Sequence, residues 1–426
     1  MNKTSQYRKG ILISLFLFMA IYRSLYVFGI HGIECPSVWL TPIGACNWTT
    51  AAFEILLWGV VCILFLLELI WSHGFRQFFE GCKIVWPVFL FVLFAVFSLI
   101  WSVLFSVTLY KVFVLIVTTF LAIYTGLILG IKRLFNVLAW FFACVCIASL
   151  GFVLLLPQYG IQNYELYIGP WNGIFWQRNY LGCFMALAST VFLIKILDWK
   201  SLSRSGKGLN LALLLFAFFL LVKSDSATGI LTAVVLIVIC LVVAAWLRWR
   251  KYLKPRHYYV IGSVAVVVIV LICVNLNFIF GLLGRNTSLT GRIPLWSYLF
   301  QNVISKRPVL GYGYGAIWNL HGFRVQLALN IHESVQLVIG DNGFIDIWLH
   351  LGIIGVFLMA GLIVMGFVRG VKYFLQERTI ESTLPVVLLV FVVMTNITLS
   401  LILETETFVW AVVIASQTAI SFPHRN

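Results

Sequence analysis

The residues with chemistry to offer are cations with few carboxylates around them. Arg178, Lys223, Arg285 and Arg292 fall in or beside segments that interrupt long apolar runs. A guanidinium presents parallel N–H donors that suit phosphate oxygens, and an ammonium adds a point charge. Fixed cations of this kind stabilise negative charge that builds on a leaving group. The long polar stretch around Arg292 holds no Asp-x-Asp and no clustered acidic pair. Arginines, rather than a metal clamp, are therefore expected to carry the neutralisation. Asp341 is the candidate general base for an attacking hydroxyl, or else a cap on the helix that follows it. His332 is the alternative base, or a polar residue on an interfacial helix. The plainer readings of the cations are anchoring or snorkelling for Arg292 and Arg178, loop solvation for Arg285, and a salt bridge to Asp225 for Lys223. Lys306 and Arg307 read as a solvated turn before Pro308.

Gly311-Tyr-Gly-Tyr-Gly315 has a glycine spacing that, outside a strand–helix context, is a weak phosphate signal. A tight turn that exposes Tyr312 and Tyr314 to sugar is the better reading. Trp171, Trp176, Trp296 and Trp318 fit either sugar stacking or an aromatic belt at the membrane surface. Asp346 lies one turn into an apolar run, where an ionisable group is costly and calls for a partner inside the bundle.

The elements that must hold these residues are membrane helices. Of 426 residues, 62% are hydrophobic and 10% charged, against about 25% charged in a soluble domain. This excludes a soluble globular domain, a disordered chain and a disulfide scaffold. The expected fold is an all-α polytopic membrane protein with about 12 transmembrane helices. The spans are placed near 11–29, 51–71, 84–103, 109–130, 134–155, 179–197, 209–222, 227–247, 258–277, 343–366, 384–402 and 407–422. Residues 11–29 read as a retained first helix, since no small-residue cleavage site follows them. Most of the 29 Lys and Arg residues then fall on one side, which puts both termini in the cytoplasm. The net charge of +15 is spread over these loops and forms no stripe, so nucleic acid is not an expected partner. Residues 1–277 carry helices one to nine, 278–341 form a large helical loop subdomain at the outer surface, and 342–426 carry the last three helices. Within that loop Ile293–Ile304 and, less cleanly, Phe323–Gly340 have helical spacing. Cys35 and Cys46 share the first external loop and form a candidate disulfide.

The order of motifs resembles the O-antigen ligase and polymerase superfamily of bacterial membrane glycosyltransferases. The likeness rests on Leu289-Thr-Gly-Arg292, Trp296, Pro308, Gly311-Tyr-Gly-Tyr-Gly315 and Asp341-Asn-Gly-Phe-Ile-Asp346, with Arg178-Asn179 opening a middle helix. The Leu-Thr-Gly-Arg form looks most like the exopolysaccharide polymerase branch. Two departures stand out. Many members carry His at the position of Asp341, and many carry Arg in the segment matching 224–229, where this chain has Ala227.

The resemblance implies a GT-C-like, metal-independent, inverting transferase without cofactors, in the bacterial inner membrane with its site on the periplasmic face. It implies a polymerase that transfers an undecaprenyl-diphosphate-linked glycan to a sugar hydroxyl of another lipid-linked unit. The alternatives are a ligase that uses a lipid A core sugar as acceptor, and a transporter or flippase. Asp341, Arg292 and His332 are then the catalytic candidates. Arg178, Arg285, Lys223, Asn179, Trp296, Tyr312, Tyr314 and Asn342 are the candidates for binding diphosphate or sugar. A chain-length regulator, a flippase and membrane lipids are the candidate partners.

Overall fold

The computed structural model describes residues 48–71, 75–164, 167–175, 177–198, 203–250, 292–331, 340–401 and 408–421. The expected spans at 11–29 and 258–277, the Cys35–Cys46 disulfide, Arg285 and His332 lie outside these residues.

The apolar runs become helices in chain order. These are α1 (Trp48–Trp71), α2 (Phe75–Ile84), α3 (Trp86–Phe97) and α4 (Phe105–Leu155). After the outer loop come α5 (Arg178–Leu197), α6 (Arg204–Lys223) and α7 (Ala227–Trp249). The large loop contributes α8 (Arg292–Tyr298) and α9 (His321–Ile331). The chain closes with α10 (Gly343–Glu377), α11 (Leu384–Asn396) and α12 (Phe408–Ser421). Among the described residues five helices are long and apolar enough to cross a membrane, and one bent pair makes a sixth. Leu56, Ile63, Ile70, Leu215 and Phe357 remain exposed on these helices, as a lipid-facing surface requires. The chain is a multi-pass, helical membrane protein.

The core shows how polar side chains are accommodated where water is absent. Thr118, Thr190, Thr395 and Thr418 are fully buried, and each hydroxyl donates to the carbonyl four residues back at 2.7–2.9 Å. Two helix contacts depend on glycine. A Cβ at Gly126 of α4 would lie 2.3 Å from the Ala415 carbonyl of α12. One at Gly229 of α7 would lie 2.6 Å from the Gly182 backbone of α5. Small residues let helices approach closely in membranes, where packing rather than hydrophobicity drives association.

Several expected elements change shape. The two spans placed at 109–130 and 134–155 form α4, broken at Gly130, whose φ of 63° and ψ of 171° no helix contains. The span placed at 84–103 is the end of a bent pair, with an angle of 88° between 78–84 and 86–100, and Pro87 stands at the turn. The span placed at 384–402 stops at Asn396, because Thr398 and Ser400 spend their hydroxyls on other elements. The helix placed at 343–366 runs on to Glu377 but is broken at Gly352 (φ 66°, ψ −170°). The outer loop 156–178 is not wholly irregular. It folds into an antiparallel hairpin of β1 (Ile161–Tyr164) and β2 (Tyr167–Trp171), with Ile161 opposite Trp171. This is the one strand pair among the described residues.

The large loop has its own small core. Leu295, Leu299, Val303, Ile304, Ile317, Trp318 and Leu327 close over Ile345 and Leu349 of α10. The helical spacing read at 293–304 is realised as α8, followed by a widened turn and a tighter one ending at Lys306.

Candidate active site

Two cation–carboxylate pairs stand at one end of the bundle. In the first, Arg292 Nε donates to Asp341 Oδ2 at 3.1 Å, with the side chains 14% and 23% exposed. Arg292 opens α8, and Asp341 immediately precedes the cap of α10. Asp341 has a φ of 49°, an uncommon backbone conformation for a residue other than glycine. Among the described residues the terminal guanidinium nitrogens of Arg292 make no hydrogen bond. In the second pair, Arg178 Nη1 donates to Asp225 Oδ2 at 2.7 Å and to the Asp225 carbonyl at 3.2 Å. Arg178 is 5% exposed.

The irregular segment 397–401 ties the two together. Thr398 shares a hydroxyl hydrogen bond of 2.8 Å with Thr228, at the start of α7. The Ile397 carbonyl accepts from Asn342 Nδ2 at 3.0 Å, and the Leu399 carbonyl from the Gly343 N–H at 3.0 Å. Ser400 donates to Asp346 Oδ2. One short segment therefore sets the α6–α7 turn against the start of α10.

Asp346 is the buried anchor of the site. Trp318 Nε1 donates to it at 2.9 Å and the Gly340 N–H at 3.1 Å, alongside Ser400. A charge taken out of water needs such a set of donors. Trp318 and Gly340 belong to the large loop, so Asp346 fastens the loop to α10. The partner demanded by the sequence is thus a cage of neutral donors rather than a cation.

The glycine-rich turn is a second fastening. The break at Gly352 frees carbonyls of α10 that lipid cannot satisfy. Tyr312 N–H donates to the Leu349 carbonyl at 2.9 Å and Gly313 N–H to the His350 carbonyl at 3.0 Å. Ile353 N–H in turn donates to the Pro308 carbonyl at 2.9 Å. A Cβ at Gly311 would lie 2.7 Å from the Gly352 nitrogen, and Gly311 has a φ of 68°. The glycines permit this backbone-to-backbone approach.

Several expected roles are corrected. Asn342, not Asp341, caps α10: its Oδ1 accepts from the Phe344 and Ile345 N–H groups at 3.0 and 3.1 Å. Asn342 was expected to bind substrate, but both ends of its amide are engaged in holding the fold. Tyr314 is 2% exposed and has no surface to offer a sugar. Tyr312 is half-buried, and its hydroxyl donates to the Val303 carbonyl at 2.8 Å. Burial raises the Tyr312 hydroxyl pKa, and the nearby Arg307 partly offsets this. Arg307 lies 5.1 Å from the centre of that ring and donates to the Trp101 carbonyl at 3.4 Å, so the turn at Pro308 is braced rather than simply solvated. Asp225 takes Arg178 as its partner, while Lys223 sits over the rings of Trp171 and Phe219 at 5.5 and 5.9 Å.

The remaining candidates lie at the margins. Asn179 Oδ1 accepts from Ser226 Oγ at 3.0 Å, which braces α5 against the cap of α7. Trp296 Nε1 donates to the Gly340 carbonyl at 2.8 Å, close beside Asp341. The strap 397–401 and the donors to Asp346 escaped sequence reading. Their signal was faint: polar residues every second position in Asn396-Ile-Thr-Leu-Ser400, inside an apolar run.

Residues 212–360 match the family described as O-Antigen ligase. This segment contains the α6–α7 turn, the large loop and the start of α10. Over that segment, about a third of the chain, this protein is similar to that family. It is also 28% identical over 245 residues to the exopolysaccharide production protein ExoQ of Rhizobium meliloti strain 1021. That likeness covers 54% of this chain and 54% of the relative, so the two share about half their lengths.

The α5–α7 pair yields a stability prediction. Asp225→Ala removes a carboxylate from a guanidinium that is 5% exposed. A hydrogen bond to a charged group contributes about 1.5–3 kcal/mol. The thermal unfolding midpoint in detergent should fall accordingly. An unchanged midpoint would show that Arg178 is held by other contacts.

Proposed function

We propose that this protein is a polysaccharide polymerase acting on undecaprenyl-diphosphate-linked glycans. The observation that carries the reading is the Arg292–Asp341 pair, a cation beside a carboxylate. In the proposed reaction the hydroxyl of one lipid-linked unit attacks C1 of the glycan on another. A new C1–O bond forms on the opposite face as the C1–O bond to the diphosphate breaks. The leaving electron pair passes to the diphosphate, where Arg292 offsets its charge. The hydroxyl proton passes to Asp341. The step inverts the anomeric centre. Arg285 and Lys223 are proposed to extend the cationic surface, with Trp296 beside the sugar and His332 as the alternative base. The distribution of Lys and Arg supports an inner-membrane orientation with this site on the periplasmic side.

The likeness to the O-Antigen ligase family favours a second reading, a ligase with a different acceptor. Deletion of the gene in its own host separates the two. Single repeat units on the carrier lipid are the result expected for a polymerase. Long polymer trapped on the carrier would mean a ligase. Building blocks stalled on the cytoplasmic side would mean a transporter. The purified enzyme should keep its activity in excess chelator, and a strict need for added divalent metal would overturn the arginine argument.

A further inference from the structure

Asp346 is buried and takes no direct part in the proposed reaction. Two of its donors, Trp318 Nε1 and Ser400 Oγ, reach it from distant elements. The third is the Gly340 N–H, 3.1 Å from Oδ1 and 3.3 Å from Oδ2. Gly340 immediately precedes Asp341, and it lies so close that a Cβ there would be 2.7 Å from Asp346 Oδ1. The Gly340 carbonyl is held as well, by Trp296 Nε1 at 2.8 Å. Trp296 follows Arg292 by four residues on α8 and so lies on the same face. One helical turn therefore grips the Asp341 side chain through Arg292 and the preceding residue through Trp296. On the other side, Asn342 is fixed by its cap bonds to α10 and by the Ile397 carbonyl. Asp341 thus hangs between two clamped neighbours. Its φ of 49° is a conformation that persists in such a residue only where the surroundings enforce it.

We propose that Asp346 is a positioning residue for Asp341, acting through the Gly340 N–H to set where the carboxylate of the base stands. The proposal rests on the reading of Asp341 as that base. Asp346 itself touches neither the substrate nor the reacting atoms. Its two oxygens gather Gly340, Trp318 and Ser400 onto one point, which fixes the peptide that enters Asp341. An amide in its place offers one acceptor oxygen instead of two and turns an NH2 group toward the donors. The Gly340 N–H then loses its hold, and Asp341 shifts relative to Arg292 and the attacking hydroxyl. A displacement of about 1 Å at a reacting group costs about 10²-fold in rate. The cations that meet the diphosphate do not depend on this clamp, so substrate binding is spared.

The test is steady-state kinetics of the purified full-length protein in detergent, with the carrier-linked unit extracted from the deletion strain as substrate. Rates are taken per folded protein, measured by gel filtration. Asp346→Asn should lower kcat about 10- to 100-fold and leave KM unchanged. Gly340→Ala should do the same from the other side, since its methyl group pushes the peptide off a carboxylate that keeps Trp318 and Ser400. In an Asp341→Asn background neither change should cost more than about twofold, because the group they position is gone. Equal losses in both backgrounds would mean that Asp346 only holds the fold, and would overturn the proposal. So would a rise in KM with kcat intact, or wild-type kinetics from both variants. Should Asp346→Asn fail to fold, Gly340→Ala decides alone. Wild-type activity of Asp341→Asn by itself would overturn the reading of Asp341 as the base, and this proposal with it. Equal losses beside an impaired Asp341→Asn would overturn the clamp alone.

Discussion

Arg292→Ala is expected to abolish polymer formation while the protein stays folded in the membrane. Removing one preorganised donor to a developing charge costs about 10²–10³ in rate, and here the donor is a full cation. The same change releases Asp341 from its 3.1 Å contact, so the proposed base loses its position as well. Asp341→Asn is the companion variant. It keeps an oxygen facing Arg292 but cannot accept the proton, and a lost general base costs about 10²–10⁴. Lys at position 292 should restore part of the charge and little of the orientation, because the pair is made through Nε of a planar fork. The measurement is glycan length on a gel, with the amount of membrane-embedded protein measured in parallel. Near-normal polymer from Arg292→Ala would remove this residue from the site. The two single variants and the double should be non-additive if the residues act on one step.

Gly352→Ala should be the most damaging small substitution in α10. The backbone there has a φ of 66° and a ψ of −170°, a region essentially restricted to glycine, which costs other residues about 1–3 kcal/mol. The added Cβ would also lie 2.0 Å from the Val309 carbonyl oxygen. The chain segment 308–313 must then lift off the helix. Three backbone hydrogen bonds go with it, from Tyr312, Gly313 and Ile353, each contributing about 1 kcal/mol. A loss of about 4–6 kcal/mol is the expected sum, seen as a lower thermal midpoint and new protease cleavage near Lys306. Gly361→Ala is the control, since nothing lies within 4 Å of a Cβ there. A similar response from both variants would mean that the loop is not held by this junction.

These two variants also separate what could be read along the chain from what could not. Apolar runs long enough to cross a bilayer are visible in any sequence, because lipid tolerates little else. The cations Arg178 and Arg292 could be picked out for the same reason: a charge beside a span needs an explanation. The break between 130 and 134 was legible from Gly130 followed by Lys132 and Arg133. Asp346 was legible as a residue that needs partners.

The identity of those partners was not legible. Trp318, Gly340 and Ser400 come from three places in the chain, and no local pattern brings them to one carboxylate. The cap of α10 fell to Asn342 rather than Asp341 because both residue types cap helices, and only the backbone geometry decides which one faces the free N–H groups. The pairing of Asp225 with Arg178 instead of Lys223 was settled the same way. Lys223 is nearer in sequence, but Arg178 is the cation that the α5–α7 contact at Gly182 and Gly229 brings within 2.7 Å. Composition and periodicity decide which segments enter the membrane, since that is a property of each segment against its solvent. Which groups meet at the end of the bundle is a property of the packing, and only the tertiary structure decided it.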